Sequence, residues 1–256
     1  MSIEDIKKSP VDEIEDVDLG DEKKQPHRGV YLLPNLFTTA ALFSGFYSII
    51  AAMNGDFTHA AVAVFIAMVL DGLDGRVARL THTQSAFGAE YDSLSDMVSF
   101  GIAPALIVFS WSLAPFGKVG WVAAFIYAVG AALRLARFNT MLGVEEKRYF
   151  TGLPSPAAAA IVAGIIWAAN DKGVSGEDLA SLMTIVVPIT GLLMVSNVKY
   201  RSFKDLNLKG RVPFIVLLIA VLVLALVALE PAVLLMSMFC LYGLWGILGI
   251  FFKQLR

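Results

Sequence analysis

The chain has 256 residues, 57% of them hydrophobic and 16% charged, with a mean hydropathy of +0.70 and a formal net charge of −2. A soluble domain of this size carries roughly 25% charged residues. The composition therefore excludes an ordinary soluble globular protein and points to helices packed inside a bilayer. No nucleic-acid-binding signature is present, and the net charge is too small to specify a partner.

Residues 1–28 form a polar segment in which Glu4, Asp5, Asp12, Glu13, Glu15, Asp16, Asp18, Asp21 and Glu22 alternate with lysines. It has no short apolar core or cleavage site and is not a signal peptide. Its composition predicts a cytoplasmic tail. Eight apolar runs follow, at about 31–53, 57–79, 94–115, 119–138, 155–169, 179–197, 212–229 and 231–252. A bilayer-crossing helix needs about 20 residues, and somewhat shorter ones suffice. The expected fold is an all-α integral membrane protein of about eight transmembrane helices. Glu230-Pro231 breaks the last long apolar stretch and reads as a tight turn. This divides the chain into a tail (1–28), a transmembrane core (29–210) and a C-terminal helix pair (211–256). Cys240, the single cysteine, lies in the last run and forms no disulfide within the chain.

With both termini in the cytoplasm, every Lys and Arg except Lys118 and Lys172 falls on the cytoplasmic side. That asymmetry obeys the positive-inside rule and supports the eight-span order, and a six-span order with one re-entrant pair would need the same loop signs.

The second run ends in Asp71-Gly-Leu-Asp74-Gly75-Arg-Val-Ala78-Arg79, and the next helix opens with Gly88-x-x-x-Asp92-x-x-x-Asp96. On helices, Asp71, Asp74, Gly75 and Ala78 share one face, and Gly88, Asp92 and Asp96 share another. A short polar turn joins the two helices, so the acidic stripes converge near the cytoplasmic end. Acids at membrane depth are costly and need compensation. Four carboxylates packed together repel, and two divalent cations would cancel their charge. The donors are all oxygens, which suits Mg²⁺, Mn²⁺ or Ca²⁺ rather than Zn²⁺. Gly75, Ala78 and Gly88 allow a flat or phosphorylated ligand close to the backbone. The rival readings are interhelical salt bridges or a cation path through a transporter.

The constellation resembles the signature of the CDP-alcohol phosphatidyltransferase family, D-x2-D-G-x2-A-R-x8-G-x3-D-x3-D, at every defined position. The resemblance implies transfer of a phosphatidyl group from a CDP-linked lipid with release of CMP, assisted by two divalent cations, Mn²⁺ or Mg²⁺. It implies Asp71, Asp74, Asp92 and Asp96 as metal ligands, with Asp96 also the catalytic base. It implies a CDP pocket formed by Gly75, Ala78, Arg79 and Gly88. Pro34-Asn35-x-x-Thr38 resembles the family's nucleotide-contacting segment, which adds Asn35 and Thr38; without the resemblance it reads equally as a helix start. By the same resemblance residues 29–210 are the catalytic core.

Three further segments resemble the phosphatidylserine synthase branch: Asp92 to Ala105, Leu133-Arg134-Leu-Ala-Arg137-Phe-Asn139, and Phe150-Thr-Gly152-Leu-Pro154-Ser-Pro156. The resemblance implies CDP-diacylglycerol and L-serine as substrates, the inner (cytoplasmic) membrane as location, and a homodimer. Arg134 and Arg137 lie one turn apart near the cytoplasmic end, and arginine grips a carboxylate in a two-pronged fork. They are therefore candidates for the acceptor or a phosphate, against the plainer reading that they snorkel to anionic headgroups. The loop Lys199 to Lys204 reads first as a lipid-headgroup contact. Ser155 and Pro156 read as the cap and first turn of a helix, and His82 reads as a solvated turn residue. Glycerol 3-phosphate or inositol phosphate are the alternative acceptors within the family. Direct attack on the donor is expected over a covalent intermediate, since no further nucleophile stands near the acids.

Overall fold

The structure is a computed structural model and describes residues 32–81, 83–140, 149–201 and 214–254. The expectations for the tail 1–28, for His82 and for the loop beyond Arg201 lie outside the described residues.

Each of the eight apolar runs is helical. Helix α1 (Leu32–Met53) turns through Asn54-Gly55-Asp56 into α2 (Phe57–Leu80). Gly55 takes a φ of +77°, which a side chain resists, and the Asp56 carboxylate caps α2 by accepting from the His59 N–H at 3.1 Å. The third run is one continuous rod from residue 86 to 116. It consists of α3 (Ala86–Asp96), a π-helical segment Met97–Ile102, α4 (Ala103–Val108), a second π segment Phe109–Leu113 and a 3-10 turn Ala114–Phe116. The acidic stripe and the span expected from residue 94 are therefore parts of the same rod. Gly117, with φ +55°, reverses the chain into α5 (Lys118–Thr140). Then come α6 (Ser155–Asp171), α7 (Ala180–Val195), α8 (Phe214–Leu229) and α9 (Pro231–Gln254), the last pair divided at Glu230-Pro231. Among the described residues, four helical stretches are long and apolar enough to cross a membrane: Leu33–Met53, Ala86–Phe116, Lys118–Thr140 and Pro231–Leu248.

Two details depart from the expectation. The fold includes one small ribbon, β1 (Tyr149–Thr151) antiparallel to β2 (Lys199–Arg201), with Phe150 opposite Tyr200. Three residues are too few to show an alternating pattern, so periodicity gives no warning of it. In addition, Pro154 rather than Ser155 occupies the cap position of α6. Ser155 is the first helical residue, and its hydroxyl is used elsewhere.

The core centres on α6, where Ala157 to Val162 are all buried, against α2 on one side and α9 on the other. Helix α1 lies along α2, the rod crosses α1, and α5 lies along α7. Small residues set these distances. A Cβ on Gly191 would fall 2.7 Å from the Tyr127 Cα, and a Cβ on Gly130 would meet the Gly191 backbone, with its Cα 2.9 Å away. In lipid, where tails are as apolar as side chains, such close backbone approach replaces the hydrophobic drive between helices. Gly130→Ala should therefore destabilise the protein by about 1–3 kcal/mol. The expected result is a thermal midpoint several degrees lower in detergent; an unchanged midpoint would mean that α5 and α7 part easily.

Candidate active site

Three elements carry the acidic motif. The start of α1 holds Pro34, Asn35 and Thr38. The last three turns of α2 hold Asp71 to Arg79, and the start of the rod holds Gly88 to Asp96. The Ser85 hydroxyl caps the rod by accepting from the Gly88 N–H at 3.0 Å. Serine hydroxyls then fasten the rod to α1: Ser95 donates to the Thr38 carbonyl and Ser99 to the Ala41 carbonyl, each at 3.2 Å. Tyr91 and Thr39 share a further bond of 2.9 Å. Gly45 makes the approach feasible, because a Cβ there would lie 2.7 Å from the Ser99 Cα. On the far side of the rod, Asn139 at the end of α5 donates to Ser93 at 3.0 Å.

These contacts bring the four carboxylates together. One oxygen from each of Asp71, Asp74 and Asp92 lies within 4.8 Å of the others. Asp71 also reaches hydrogen-bonding distance of both Asp92 and Asp96. Carboxylates this close repel unless a proton or a cation lies between them. Asp74 is buried and accepts a 2.6 Å bond from Thr38. The Asp92 Oδ1 is buried with no hydrogen-bond partner. A buried, unpartnered carboxylate oxygen is costly, and beside two further hard oxygens it is what a divalent cation requires. The residues present therefore fit such an ion, and their oxygen-only donor set favours a hard one.

A cleft of about 250 Å³ opens beside the cluster, with Asp74 and Asp92 in its wall. Asn35, Thr38, Gly75, Ala78, Arg79 and Gly88 all line it. Glycine matters in this wall: a Cβ on Gly88 would stand 3.1 Å from the Ser85 Oγ and 3.5 Å from the Asn35 Oδ1, and one on Gly75 would stand 3.7 Å from the Arg79 guanidinium. Thr83, Gln84 and Ser85 also line the cleft. Reading them as a plain connector missed this role. The signal was the polarity of the turn combined with its fixed length between the two acidic stripes.

Asp71 and Asp96 stand outside the cleft wall, and the Arg134 charge acts on both. Arg134 also donates to the Ser155 hydroxyl at 2.7 Å, a role that reading Ser155 as a helix cap does not anticipate. Arg137 turns away. It donates to the Asn197 Oδ1 at 2.9 Å and to the Val195 carbonyl at 3.4 Å, at the end of α7. One helical turn thus sends the two arginines to different neighbours, and only Arg134 faces the carboxylates.

The profile of the CDP-alcohol phosphatidyltransferase family matches residues 31–198. The chain belongs to that family. A CDP-diacylglycerol–serine O-phosphatidyltransferase of Helicobacter pylori (strain ATCC 700392 / 26695) is 37% identical over 219 residues, covering 86% of this chain and 92% of the relative. One from Mycobacterium leprae (strain TN) is 33% identical, covering 78% of this chain and 68% of the relative. An archaetidylserine synthase of Methanothermobacter thermautotrophicus is 34% identical, covering 66% of this phosphatidyltransferase and 69% of the relative.

If the cleft houses a substrate, Gly75→Leu fills it with side chain, since a Cβ there meets nothing closer than the Arg79 guanidinium at 3.7 Å. Turnover should fall at least tenfold, with the thermal midpoint within a few degrees of the parent. Full turnover would show that the cleft is not used.

Proposed function

We propose that the protein transfers the phosphatidyl group of CDP-diacylglycerol to the hydroxyl of L-serine, releasing CMP. The observation that carries this reading is the convergence of Asp71, Asp74, Asp92 and Asp96 beside a glycine-floored cleft, in a chain whose family relatives are named for that transfer. On this reading the CDP group occupies the cleft against Asn35, Thr38, Gly75, Ala78, Arg79 and Gly88. Asp71, Asp74, Asp92 and Asp96 hold two divalent cations, Mn²⁺ or Mg²⁺. Such a pair, when bound, neutralises the pyrophosphate and the charge that develops on it.

The remaining chemistry belongs to side chains. Asp96 takes the proton from the serine hydroxyl. The hydroxyl oxygen forms a bond to the phosphatidyl phosphorus, the bond from that phosphorus to the bridging oxygen breaks, and the electron pair leaves with CMP. Arg134 holds the serine carboxylate on the Asp96 side of the cluster, its guanidinium steadied by Ser155. Arg137, held by Asn197 and Val195 at the end of α7, does not reach the carboxylates and leaves the acceptor to Arg134. The acids sit at the cytoplasmic end of about eight spans in the inner membrane, with both termini cytoplasmic. Residues 29–210 form the catalytic core of a homodimer, preceded by the 1–28 tail and followed by the 211–256 helix pair.

CMP release by the purified protein in detergent, with CDP-diacylglycerol and Mn²⁺ or Mg²⁺, tests the whole reading. Serine should support release, EDTA should abolish it, and glycerol 3-phosphate or inositol phosphate should not replace serine. Release with another acceptor would discard the serine assignment and keep the family. Metal flux into vesicles with no CMP release would favour a transporter.

Two substitutions separate the roles. Asp96→Asn should retain CDP-diacylglycerol binding and lose turnover; near-normal turnover would remove Asp96 as the base. Arg134→Lys should raise the KM for serine at least tenfold with little change for the lipid donor, because an ammonium cannot make the two-pronged grip. The opposite pattern would place Arg134 at the donor phosphates.

A further inference from the structure

The rod that carries Asp92 and Asp96 changes its winding immediately after Asp96, where the π-helical segment Met97–Ile102 begins. The change has a chemical cause. In an α-helix the carbonyl of residue 100 would bond the N–H of residue 104, and Pro104 has none. The Ala103 N–H bonds back to the Val98 carbonyl, five residues earlier, in the π register. The carbonyl of Phe100, wholly buried, takes its hydrogen bond from another helix: the Tyr127 hydroxyl of α5 donates to it at 2.9 Å.

Tyr127 is itself wholly buried and tightly seated. Behind it lies Gly191 of α7, where a Cβ would come within 2.7 Å of the Tyr127 Cα. One turn further along α5, Ala131 lies against Gly101, where a Cβ would stand 3.1 Å from the Ala131 Cβ. The π segment is therefore clamped to α5 at two successive residues, Phe100 and Gly101, with α7 as the backing.

The geometry matters for the acids. A helix turns roughly 100° per residue, so a π segment, which holds one extra residue, sets the halves on either side about 100° apart from where an unbroken helix would put them. The half beyond, α4, is fixed by burial of Ala103, Pro104, Ala105, Ile107 and Val108. The half before it carries Asp92 and Asp96. We infer that Tyr127, through its bond to the Phe100 carbonyl, is a positioning residue that fixes the rotation of the acidic half of the rod and so aims Asp96 at the reacting centre. This rests on the reading of Asp96 as the base.

The test uses the full-length protein in detergent and compares Tyr127→Phe, Pro104→Ala/Tyr127→Phe and Asp96→Asn. Tyr127→Phe removes one oxygen and leaves the carbonyl unpaired. The expected result is a kcat at least tenfold lower, KM values for serine and CDP-diacylglycerol within twofold, and a lower thermal midpoint. The double variant supplies the missing N–H from the rod itself and allows an ordinary α-turn. It should recover the thermal midpoint without recovering kcat, a split that a merely structural tyrosine would not give. A kcat within twofold of the parent in Tyr127→Phe would overturn the inference, and so would recovery of kcat together with the midpoint in the double variant. Should Tyr127→Phe fail to fold, the double variant decides alone. Asp96→Asn separates the two claims. If it is inactive while Tyr127→Phe is fully active, only the positioning role falls; if it is active, the base assignment falls and the positioning role with it.

Discussion

Four carboxylates crowded into a protein that is otherwise mostly hydrocarbon set the terms for the rest of this structure. Each charge costs free energy to remove from water, and each raises the cost of the next. The surroundings answer that cost piece by piece. Thr38 donates to Asp74, the Arg134 charge faces Asp71 and Asp96, and the cleft gives Asp74 and Asp92 an open polar side. What stays unanswered is the buried Asp92 Oδ1, and a bound cation is the natural remedy. Removing any one contribution leaves charge without compensation, so the cluster depends on α1, α2, the rod and α5 together.

Precision in such a cluster needs helices that approach closely and do not slide. Gly45 lets α1 and the rod meet at backbone distance, and Gly130 with Gly191 does the same for α5 and α7. Serine hydroxyls then fix the register by bonding carbonyls across the α1–rod contact. The ribbon β1–β2 extends this framework to the far end of the chain. Tyr200 of β2 donates to the Gly243 carbonyl of α9 at 3.2 Å, and its ring packs against Tyr242 at 5.4 Å. Gly246 provides the space for that ring. Helix α9 thus closes on the side of the molecule from which Arg134 faces the acids, although the family profile ends at residue 198.

The helices and the acidic motif are legible in the sequence because they rest on strong, local rules: apolar length, and carboxylates at helical spacing. The break at Glu230-Pro231 and the facing of the two acidic helices follow from the same rules. The ribbon, the π segments and the divergence of Arg134 and Arg137 are not legible, because each depends on partners distant in the chain. Pro104 alone signals a defect in the rod, yet a kink, a π segment or a helix end would all satisfy it. Only the placement of Tyr127 selects among them. Likewise, i and i+3 spacing places two arginines on one face, but whether they share a partner depends on Ser155 and Asn197, dozens of residues away.

The cluster has two distinct sides, and this is the feature that best suits a transfer between two bound molecules. Asp74 and Asp92 line the cleft, whereas the Arg134 charge acts on Asp71 and Asp96. A displacement at phosphorus needs the entering oxygen opposite the leaving one, so donor and acceptor must approach the same centre from different directions. A cleft that ends at one pair of carboxylates, with a guanidinium beyond the other pair, meets that requirement without any large movement. An ion path would instead line its acids along a continuous channel, and a structural salt-bridge network would pair each acid with a base. The packing here does neither: it gathers the acids at one point, with Arg79 in the cleft wall and the Arg134 charge acting on Asp71 and Asp96.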